Sequence, residues 1–454
     1  MGTAFSLRET MHQEPLVDPR ILTAIKGRLP NVESITYKGR ITKVVGLIAE
    51  AEAPPVPIGE LMWTLPPVGD KKLLEVVGFA DGKLLLMPYD DLDGVWAGME
   101  IMPSGLSMKI PSPEKMIGRV VDGLGHPMDD GAPLEAEFEL NLDANSTNPL
   151  TRPRIKHVVS TGIKSIDGFN TLGQGQKLGI FSGSGVGKSV LMGMIARHTS
   201  ADINVIALIG ERGKEVREFI EKDLGPEGLK RSVVVVATSD QSALRRLKGA
   251  YVAMQIAQSL RDSGKNVLFL MDSLTRFAQA AREIGLAAGE PPATRGYPPS
   301  VFRKIPKLLE KVGPSQDGCI TGIFTVLVEG DDLNEPISDA ARSVLDGHVV
   351  LSRDLAHQNH YPALDVLGSI SRVMNDIVDK DMIGLAGKLR EIMAIYNEAK
   401  DLIAVGAYKE GSNPEIDLAI RMIPKIYDFL KQDIDEKWTF DQTRQALTKL
   451  LSEA

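Results

Sequence analysis

The amino-acid sequence predicts an α/β protein, in which a parallel sheet with helical crossovers lies between a small N-terminal β-barrel and a C-terminal helical domain. In the first part of the chain, short apolar segments are separated by Gly, Pro and Asp, as in closely connected strands. In the middle, apolar segments alternate with amphipathic ones, and after Asn375 only helical patterns remain. These changes predict four parts of the chain: residues 1–30, 31–110, 111–375 and 376–454.

The N-terminal segment carries a short apolar pattern at helical spacing. Ile21, Leu22, Ile25 and Leu29 would share one face of a helix. Such a face can pack on the following domain or dock a partner protein, and periodicity alone leaves both interpretations open. A partner-docking segment is the working hypothesis for residues 1–30.

The next part predicts short strands in a small barrel or sandwich. Its Val-, Ile- and Leu-rich pieces are closely spaced, with turn residues between them. The predicted strands are Ile41–Ile48, Leu73–Phe79 and Lys83–Met87. A barrel is the expectation for residues 31–110.

The middle of the chain predicts a parallel sheet. Its apolar segments are continuous, as expected for strands that are buried on both faces. The predicted strands are Lys177–Phe181, Asn204–Ile209, Ser232–Ala237, Asn266–Met271 and Ile320–Val328. Amphipathic stretches such as Lys188–His198 and Gln241–Ser263 predict helices that connect the strands by right-handed crossovers.

The C-terminal part shows helical patterns without strand-like segments. The predicted helices are Asp381–Ala399, Pro414–Lys431 and Phe440–Ser452. We therefore expect a separate helical domain in residues 376–454.

The composition argues against several classes of protein. The formal net charge of −8 gives no general attraction to nucleic acid phosphates, and the basic cluster Arg245–Lys248 is better explained as a solvated helix face. Met1–Pro15 shows no secretory signal, and no stretch reaches the ~18–20 apolar residues that span a bilayer. The single cysteine, Cys319, cannot form an intramolecular disulfide. We expect it to be a small core residue of a cytoplasmic protein.

The segment Ser182–Ser189, with the sequence SGSGVGKS, follows a predicted strand and opens a predicted helix. Glycines there let backbone N–H groups surround phosphate oxygens, and the helix N-terminus adds its positive dipole end. Lys188 would reach the β- and γ-phosphates of ATP, and the Ser189 hydroxyl would coordinate Mg²⁺. A glycine-rich turn with an incidental lysine is the alternative, but the flanking strand and helix argue against it. The predicted ATP-binding residues are Ser182, Gly183, Ser184, Gly185, Val186, Gly187, Lys188 and Ser189.

The first position of this loop departs from the usual motif, which begins with glycine. Ser182 occupies it. A residue other than glycine at positive φ costs ~1 kcal/mol, so we predict ordinary β-type dihedral angles for Ser182.

Asp272 ends a predicted buried strand and matches the acid that holds Mg²⁺ through its waters in phosphate-loop enzymes. A terminal aspartate can instead cap the helix that follows it. Because a phosphate loop lies upstream, we favour the metal role for Asp272.

A second carboxylate, Glu211, follows the predicted strand Asn204–Ile209. Ligands of open α/β sheets bind at the carboxyl ends of the strands, so Glu211 should project beside Lys188 and could polarise the attacking water. The alternative is a surface ion pair with a nearby basic residue. Arg276 lies one helical turn beyond Asp272 and could reach the γ-phosphate or form a structural ion pair.

Several motifs resemble the catalytic subunit of rotary ATP synthases: the phosphate loop, Gly210–Arg212, Asp272–Arg276 and Tyr361–Ala363. Other features are more similar to the type III secretion ATPases: Ser182, Val328–Pro336 and Leu345–His348. The segment Asn359–Leu367 is most similar to the flagellar export branch of that family. The resemblance covers the chain from about Gly39 onward and is most specific between Ser160 and Met374.

This resemblance implies a RecA-like P-loop ATPase core with an N-terminal β-barrel and a C-terminal helical domain. It implies that Glu211 is the catalytic carboxylate and that Arg212 and Arg276 assist at the γ-phosphate. Tyr361 would stack on adenine, with Tyr408 as a second aromatic wall.

The resemblance also implies a homohexamer with shared catalytic sites. Arg372 matches an arginine finger that reaches the neighbouring subunit's nucleotide, and the loop Gly289–Ser300 matches one that faces the central pore. Because one chain carries both Glu211 and Arg372, a ring of identical subunits would have a catalytic site at every interface. Such a finger is worth roughly 10³- to 10⁵-fold in turnover.

The implied function is ATP hydrolysis that energises flagellar type III protein export, with release of cargo from chaperones and delivery to a membrane export gate. The implied partners are a stator-like export regulator at the N-terminus, a central stalk protein in the pore, export chaperones with their cargo, and the gate. The ring would be cytoplasmic and peripherally associated with the inner-membrane export apparatus, without nucleic acid.

Three alternatives remain at this point. A virulence-type secretion ATPase differs from a flagellar one only in short motifs. A rotary synthase catalytic subunit is disfavoured by Val328–Pro336 and Ser182. An RNA-translocating ring would need a basic, aromatic groove in its N-terminal domain, where this chain has few aromatic residues and several acids.

Overall fold

The computed structural model describes residues 37–105, 108–139, 150–328, 330 and 332–453. The helix predicted around residues 21–29 lies outside these ranges. Within them, none of the helices has the length and apolar character needed to cross a membrane.

The N-terminal domain is a closed antiparallel barrel. Its strands are β1 (Gly39–Val45), β2 (Ile48–Glu52), β3 (Leu61–Leu65), β4 (Leu73–Ala80), β5 (Lys83–Pro88) and β6 (Glu100–Pro103). They pair in the order β1-β2-β5-β4-β3-β6, and β6 pairs back with β1. Inward-pointing side chains such as Ile41, Met62 and Leu86 form its buried core. Closure leaves no strand edge exposed, so the barrel, rather than the sandwich, is confirmed.

Further strands build the central sheet and three short antiparallel pairings. They are β7 (Lys109–Pro111), β8 (Val120–Asp122), β9 (Ala136–Glu139), β10 (Val158–Val159), β11 (Leu172–Gly173), β12 (Lys177–Ser182), β13 (Ile203–Ile209), β14 (Ser232–Ala237), β15 (Asn266–Asp272), β16 (Gly313–Pro314), β17 (Cys319–Leu327), β18 (Gly347–Leu351) and β19 (Leu364–Ser371). The sheet order is β19-β18-β12-β17-β15-β13-β14-β8, with β16 attached to β17. Strands β8 to β18 of this order run parallel, and β19 is antiparallel to β18.

The five strands predicted for the middle of the chain are confirmed as β12, β13, β14, β15 and β17. Both faces of β15 are buried, since Phe269 belongs to one apolar cluster and its neighbours Leu268 and Leu270 belong to the other. Sequence reasoning missed β8, β18 and β19. The first is only three residues long, and β19 is a half-exposed edge strand without a continuous apolar run.

The helices are α1 (Lys164–Phe169), α2 (Lys188–His198), α3 (Gly213–Glu218), α4 (Gly225–Leu229), α5 (Ala243–Asp262), α6 (Leu274–Ala287), α7 (Pro299–Leu309), α8 (Pro336–Val344), α9 (Arg353–His357), α10 (Met374–Ile377), α11 (Lys380–Ala404), α12 (Pro414–Leu430) and α13 (Phe440–Ser452). Ser242 and Ser273 cap α5 and α6, because each side chain accepts a hydrogen bond from the backbone three residues later. Cys319 is a buried core residue, as predicted, and burial raises the pKa of its thiol to about 11.

A buried polar cluster joins the barrel to the central domain. Tyr89 donates its hydroxyl hydrogen bond to Glu75, and Lys248 Nζ of α5 lies 2.8 Å from the same carboxylate. Arg245 donates from Nε to the Tyr89 carbonyl oxygen at 3.1 Å. Burial, followed by the charge of Glu75, raises the pKa of Tyr89 well above its ordinary value. The barrel is therefore anchored to α5 by charge-assisted hydrogen bonds as well as by apolar contact.

The three predicted C-terminal helices are confirmed as α11, α12 and α13. Helix α11 continues five residues beyond the predicted end at Ala399 to Ala404, because no helix-breaking residue occurs before Gly406, whose φ is +71°. Asn413 caps α12 and is followed by proline at the first helical position, as is typical of a helix start.

Candidate active site

The phosphate loop lies between the end of β12 and the start of α2. Gly185 and Gly187 have φ values of +78° and +85°, which residues with a side chain rarely adopt. Ser182 is the last residue of β12, beside Leu327 of β17, and does not have positive φ. The predicted ordinary dihedral angles of Ser182 are therefore confirmed, and the first loop position does not need glycine here.

Lys188, Glu211 and Asp272 converge at the carboxyl edge of the sheet. Lys188 Nζ lies 2.5 Å from Asp272 Oδ1 and 3.9 Å from Glu211 Oε1. The register explains this arrangement, because Asp272 is the last residue of β15 and lies beside Leu208 of β13, which leads directly to Glu211. The structure thus brings together the three residues that the sequence predicted to meet.

Thr325 is a polar residue of this cluster that sequence reasoning missed. It lies in the apolar strand β17 and is fully buried. Its hydroxyl donates a 2.7 Å hydrogen bond to Asp272 Oδ1. The only sequence signal was a threonine within a run of buried apolar residues next to the strand that ends in Asp272.

The Glu211 carboxyl is 15% exposed, and its surroundings disfavour its charged form. Burial and then the charge of Asp272 raise its pKa to about 7, although the ammonium group of Lys188 opposes the shift. A carboxylate that titrates near neutral pH can accept a proton from water, which suits a general base.

The arginines predicted to assist at the γ-phosphate differ in position. Arg276 packs over Gly210, where an added Cβ would lie 2.7 Å from the Arg276 Cβ, and its Nη1 donates to Gln279 at 2.9 Å. Arg212 is 81% exposed and points toward Glu215 at 3.8 Å. Within one subunit, the structure packs Arg276 against Gly210, the residue before Glu211, but leaves Arg212 in solvent.

Arg372 follows the end of β19 and is exposed. Its backbone N–H donates to the Asp346 carbonyl oxygen at 2.9 Å, which fixes the chain at this turn. Its guanidinium approaches the Arg342 carbonyl oxygen at 3.5 Å. Arg372 does not line the nucleotide pocket or the phosphate loop of its own subunit.

A cavity of about 650 Å³ continues from the phosphate loop toward the C-terminal domain. It is lined by Gly185–Gly187, residues of α2, Leu351, Asn359, Tyr361–Ala363 and Lys431–Ile434. The Tyr361 ring lies directly against Gly187, since an added Cβ there would be 3.4 Å from the ring. Tyr361 therefore forms one wall of the cavity beside the phosphate loop.

Tyr408 does not line this cavity, so the predicted second aromatic wall is not found there. Its hydroxyl donates instead to Asp417 at 2.8 Å, within the turn between α11 and α12. Lys431–Ile434 also line the cavity, and sequence reasoning missed them because these residues form a polar loop without periodicity. The Gln432 N–H donates to the Tyr361 carbonyl oxygen at 3.0 Å, so this loop is joined to Tyr361.

Comparison with known proteins identifies the chain. The family model described as the nucleotide-binding domain of the ATP synthase alpha/beta family matches residues 162–371, and the T3SS EscN ATPase C-terminal domain matches residues 378–449. The flagellum-specific ATP synthase of Bacillus subtilis is 50% identical over 419 residues, which cover 91% of this chain and 96% of that protein. The chain belongs to the family of flagellar and type III secretion ATPases.

Other members of this family match as completely. The type 3 secretion system ATPase of Xanthomonas euvesicatoria is 45% identical over 437 residues, covering 96% of this chain and 99% of that protein. The assembled ATPase EscN of the enteropathogenic E. coli type III secretion system superimposes with a TM-score of 0.87 at 43% identity, over 91% of this chain and all of that one. The family and the three-part fold that the motifs predicted are confirmed.

Proposed function

We propose that this chain hydrolyses ATP to energise flagellar type III protein export, and that Glu211 is its catalytic carboxylate. The observation that carries the proposal is the position of Glu211, which lies 3.9 Å from the phosphate-loop Lys188 and has a pKa of about 7. A water held between Glu211 and the γ-phosphate would lose its proton to this carboxylate as its oxygen bonds to phosphorus. The bond from phosphorus to the bridging oxygen breaks, and its electron pair leaves with ADP.

Lys188 would change partners when nucleotide binds. In the structure its ammonium group is held by Asp272 at 2.5 Å. The β- and γ-phosphates offer it stronger charge-assisted hydrogen bonds, and its movement toward them would free Asp272. ATP binding would therefore rearrange the same charges that prepare the site for hydrolysis.

Ser189 and Asp272 fit Mg²⁺ that arrives with the nucleotide. Mg²⁺ is usually held by one or two carboxylates together with substrate phosphates, and Asp272 at the strand end beside the loop supplies such a ligand. No group of three or more His, Cys, Asp or Glu side chains suited to a metal occurs in the described ranges, so a permanent all-protein cage is not the arrangement expected here. When bound, Mg²⁺ would neutralise charge that develops on the phosphates.

The ring arrangement follows from Arg372 and from the relatives. Arg372 is exposed and does not line its own subunit's site, as required of a residue that acts on a neighbour. EscN, a relative of the same fold, assembles and has been solved in complex with its central stalk EscO, with a TM-score of 0.84 and 42% identity to this chain. We infer a homohexamer in which each interface combines Glu211 of one subunit with Arg372 of the next.

The flagellar assignment is supported by the segment Asn359–Leu367 and by flagellum-specific enzymes of three bacteria that share 48–50% identity with this chain. Four other flagellum-specific enzymes share 43–46% identity, a range that includes the 45% of the Xanthomonas type 3 secretion ATPase. The proposed partners are a stator-like regulator bound to residues 1–30, a central stalk, export chaperones with cargo, and a membrane export gate. Peripheral association with the inner membrane through this gate completes the proposal.

The test compares Glu211→Gln with the matched control Glu227→Gln, which changes an exposed acid paired with Lys230. Removal of the general base should lower kcat by ~10²- to 10⁴-fold while ATP binding persists, whereas Glu227→Gln should retain wild-type turnover. Secretion of flagellar subunits by cells carrying each variant reports the export function. Turnover in Glu211→Gln equal to that of the control would overturn the catalytic assignment.

A further inference from the structure

We propose that a second cavity, on the other side of the phosphate loop, is an anion site that receives inorganic phosphate after hydrolysis. The cavity has a volume of about 600 Å³ and shares no lining residue with the nucleotide pocket. It opens beside Ser182–Ser184, the first part of the phosphate loop. The inference rests on the proposed function, because phosphate is a product only if the chain hydrolyses ATP.

The charge of the cavity wall is strongly positive among the described residues. Four arginines line it: Arg276, Arg282, Arg295 and Arg353. Glu335 is the single described carboxylate in the lining, and it lies 3.5 Å from Arg295. Asp332 also pairs with Arg295, at 3.3 Å. Among the described residues, both acids therefore pair with Arg295 and not with an arginine of α6.

Arg276 and Arg282 both belong to α6 and line the cavity. Across the part of the chain that the structure describes, neither forms an ion pair with a carboxylate. Arg276 donates to the neutral side chain of Gln279, and Arg282 stacks over the Tyr297 ring with its guanidinium carbon 5.2 Å from the ring centroid. Arginines that lack a carboxylate partner are well suited to hold a tetrahedral oxyanion through several N–H groups.

Ser182 Oγ and Arg276 Nε belong to residues that line the cavity, and both atoms are buried. Ser182 is 2% exposed, and its Oγ has no partner, nor has Arg276 Nε. A buried polar atom without a partner loses ~1–3 kcal/mol relative to one that is paired. Both groups can donate, and both belong to residues that line the same cavity. A bound anion would accept hydrogen bonds from Ser182 Oγ and Arg276 Nε and would pair with the positive charge of the α6 arginines.

Arg276 connects this cavity to the catalytic centre. It packs over Gly210, which has a φ of +73° and immediately precedes Glu211. A side chain at position 210 would collide with Arg276, so glycine lets the guanidinium stem lie against the strand end. Phosphate released near Glu211 could therefore pass to the cavity while it remains in contact with one arginine.

Arg282 is the residue that best distinguishes this site from the catalytic one. Its Nη2 lies 2.9 Å from where a Cβ on Gly296 would be, so the loop that carries Gly296 and Tyr297 holds its guanidinium in place. It does not line the nucleotide pocket and lies ten residues, or nearly three helical turns, beyond Asp272. Substitution of Arg282 should therefore weaken the binding of inorganic phosphate more than the binding of ADP.

The experiment measures product inhibition of steady-state hydrolysis by inorganic phosphate and, separately, by ADP. The variants are Arg282→Ala, Arg282→Lys and, as a control, Arg217→Ala, which removes an exposed arginine paired with Glu221 outside the cavity. Loss of one charge-assisted hydrogen bond should raise the inhibition constant for phosphate about tenfold in Arg282→Ala. The constant for ADP should stay within about twofold, and Arg282→Lys should recover part of the phosphate effect.

Three results would overturn the inference. They are an unchanged inhibition constant for phosphate, equal changes for phosphate and ADP, and a loss of ring assembly without a change in phosphate inhibition. The last would assign Arg282 to a contact with an acidic group of the neighbouring subunit. A wild-type chain that does not hydrolyse ATP would instead remove the proposed function itself, and this inference with it.

Discussion

Thr325 Oγ1 donates a 2.7 Å hydrogen bond to Asp272 Oδ1 across neighbouring strands of the sheet. The same oxygen lies 2.5 Å from Lys188 Nζ, so one carboxylate atom accepts from both a hydroxyl and an ammonium group. Thr325 is fully buried and cannot be replaced in this role by water. In the proposed reaction it would hold the Asp272 carboxylate in place while Lys188 exchanges Asp272 for phosphate.

Thr325→Val keeps the shape of the side chain and removes this hydrogen bond. We expect kcat to fall about tenfold, the change that corresponds to ~1.4 kcal/mol in the barrier, with a higher Mg²⁺ concentration needed for half-maximal rate. Steady-state hydrolysis over a Mg²⁺ titration measures both. Thr321→Val is the control, because Thr321 is buried in the same strand but accepts from the Gly175 N–H at the far end. Equal behaviour of the two variants would contradict a role for Thr325 at the site.

The raised pKa of Glu211 predicts the pH dependence of hydrolysis. A general base works only when it is deprotonated, and burial raises the pKa of this carboxyl to about 7. The value of kcat/KM, which reports the free enzyme, should therefore fall as the pH drops through about 7 rather than near the ordinary value of 4.5. A pH–rate profile between pH 5 and about 9 measures this. A flat profile down to pH 5 would show that another group accepts the proton.

Ser182→Gly tests the unusual first position of the phosphate loop. Ser182 has ordinary strand dihedrals, so glycine gains nothing from its access to positive φ and should leave hydrolysis within about twofold of wild type. Steady-state hydrolysis assays of the variant and the wild type check this. Abolished hydrolysis would mean that the hydroxyl takes part in nucleotide binding.

The five central strands β12, β13, β14, β15 and β17, the phosphate loop and the meeting of Lys188, Glu211 and Asp272 could be predicted from the sequence, because each depends on local pattern and on the polarity of a parallel sheet. Thr325 and Lys431–Ile434 could not be predicted, since their importance arises from tertiary proximity alone. Tyr408 shows the opposite error. An aromatic residue with a suitable motif lies in a turn where its hydroxyl bonds to Asp417.

Arg372→Ala should abolish hydrolysis that depends on the oligomer while sparing ATP binding. Arg372 lies outside its own subunit's pocket, so its loss damages only the neighbouring site. Mixing the two variant chains in one ring provides a direct test. Rings made only of Arg372→Ala or only of Glu211→Gln are each expected to be inactive. Mixed rings contain some interfaces that combine an intact Glu211 with an intact Arg372, and these should recover part of the hydrolysis. Absence of recovery in rings shown to be mixed, or full activity of Arg372→Ala alone, would refute action across the interface.

The hydrogen bonds of Gln432 suggest how the C-terminal domain supports nucleotide binding. Its side chain accepts from the Lys164 N–H at 2.9 Å and donates to the Gly162 carbonyl oxygen at 2.7 Å, while its own N–H donates to the Tyr361 carbonyl oxygen. Gln432→Leu would leave the two buried groups of the central domain unpaired, at ~1–3 kcal/mol each. The loop that faces Tyr361 should then loosen.

We expect Gln432→Leu to raise the KM for ATP several-fold and to lower the melting temperature, with kcat changed much less, because none of the hydrolytic groups is touched. Gln445→Leu is the matched control, since Gln445 is exposed on α13 and lies away from the pocket. Nucleotide titration and thermal unfolding, with and without ATP, separate the two effects. A Gln432→Leu variant that melts early but binds ATP normally would limit Gln432 to holding the domains together. A variant with lowered kcat and unchanged KM would show instead that the C-terminal domain acts on the chemical step rather than on binding.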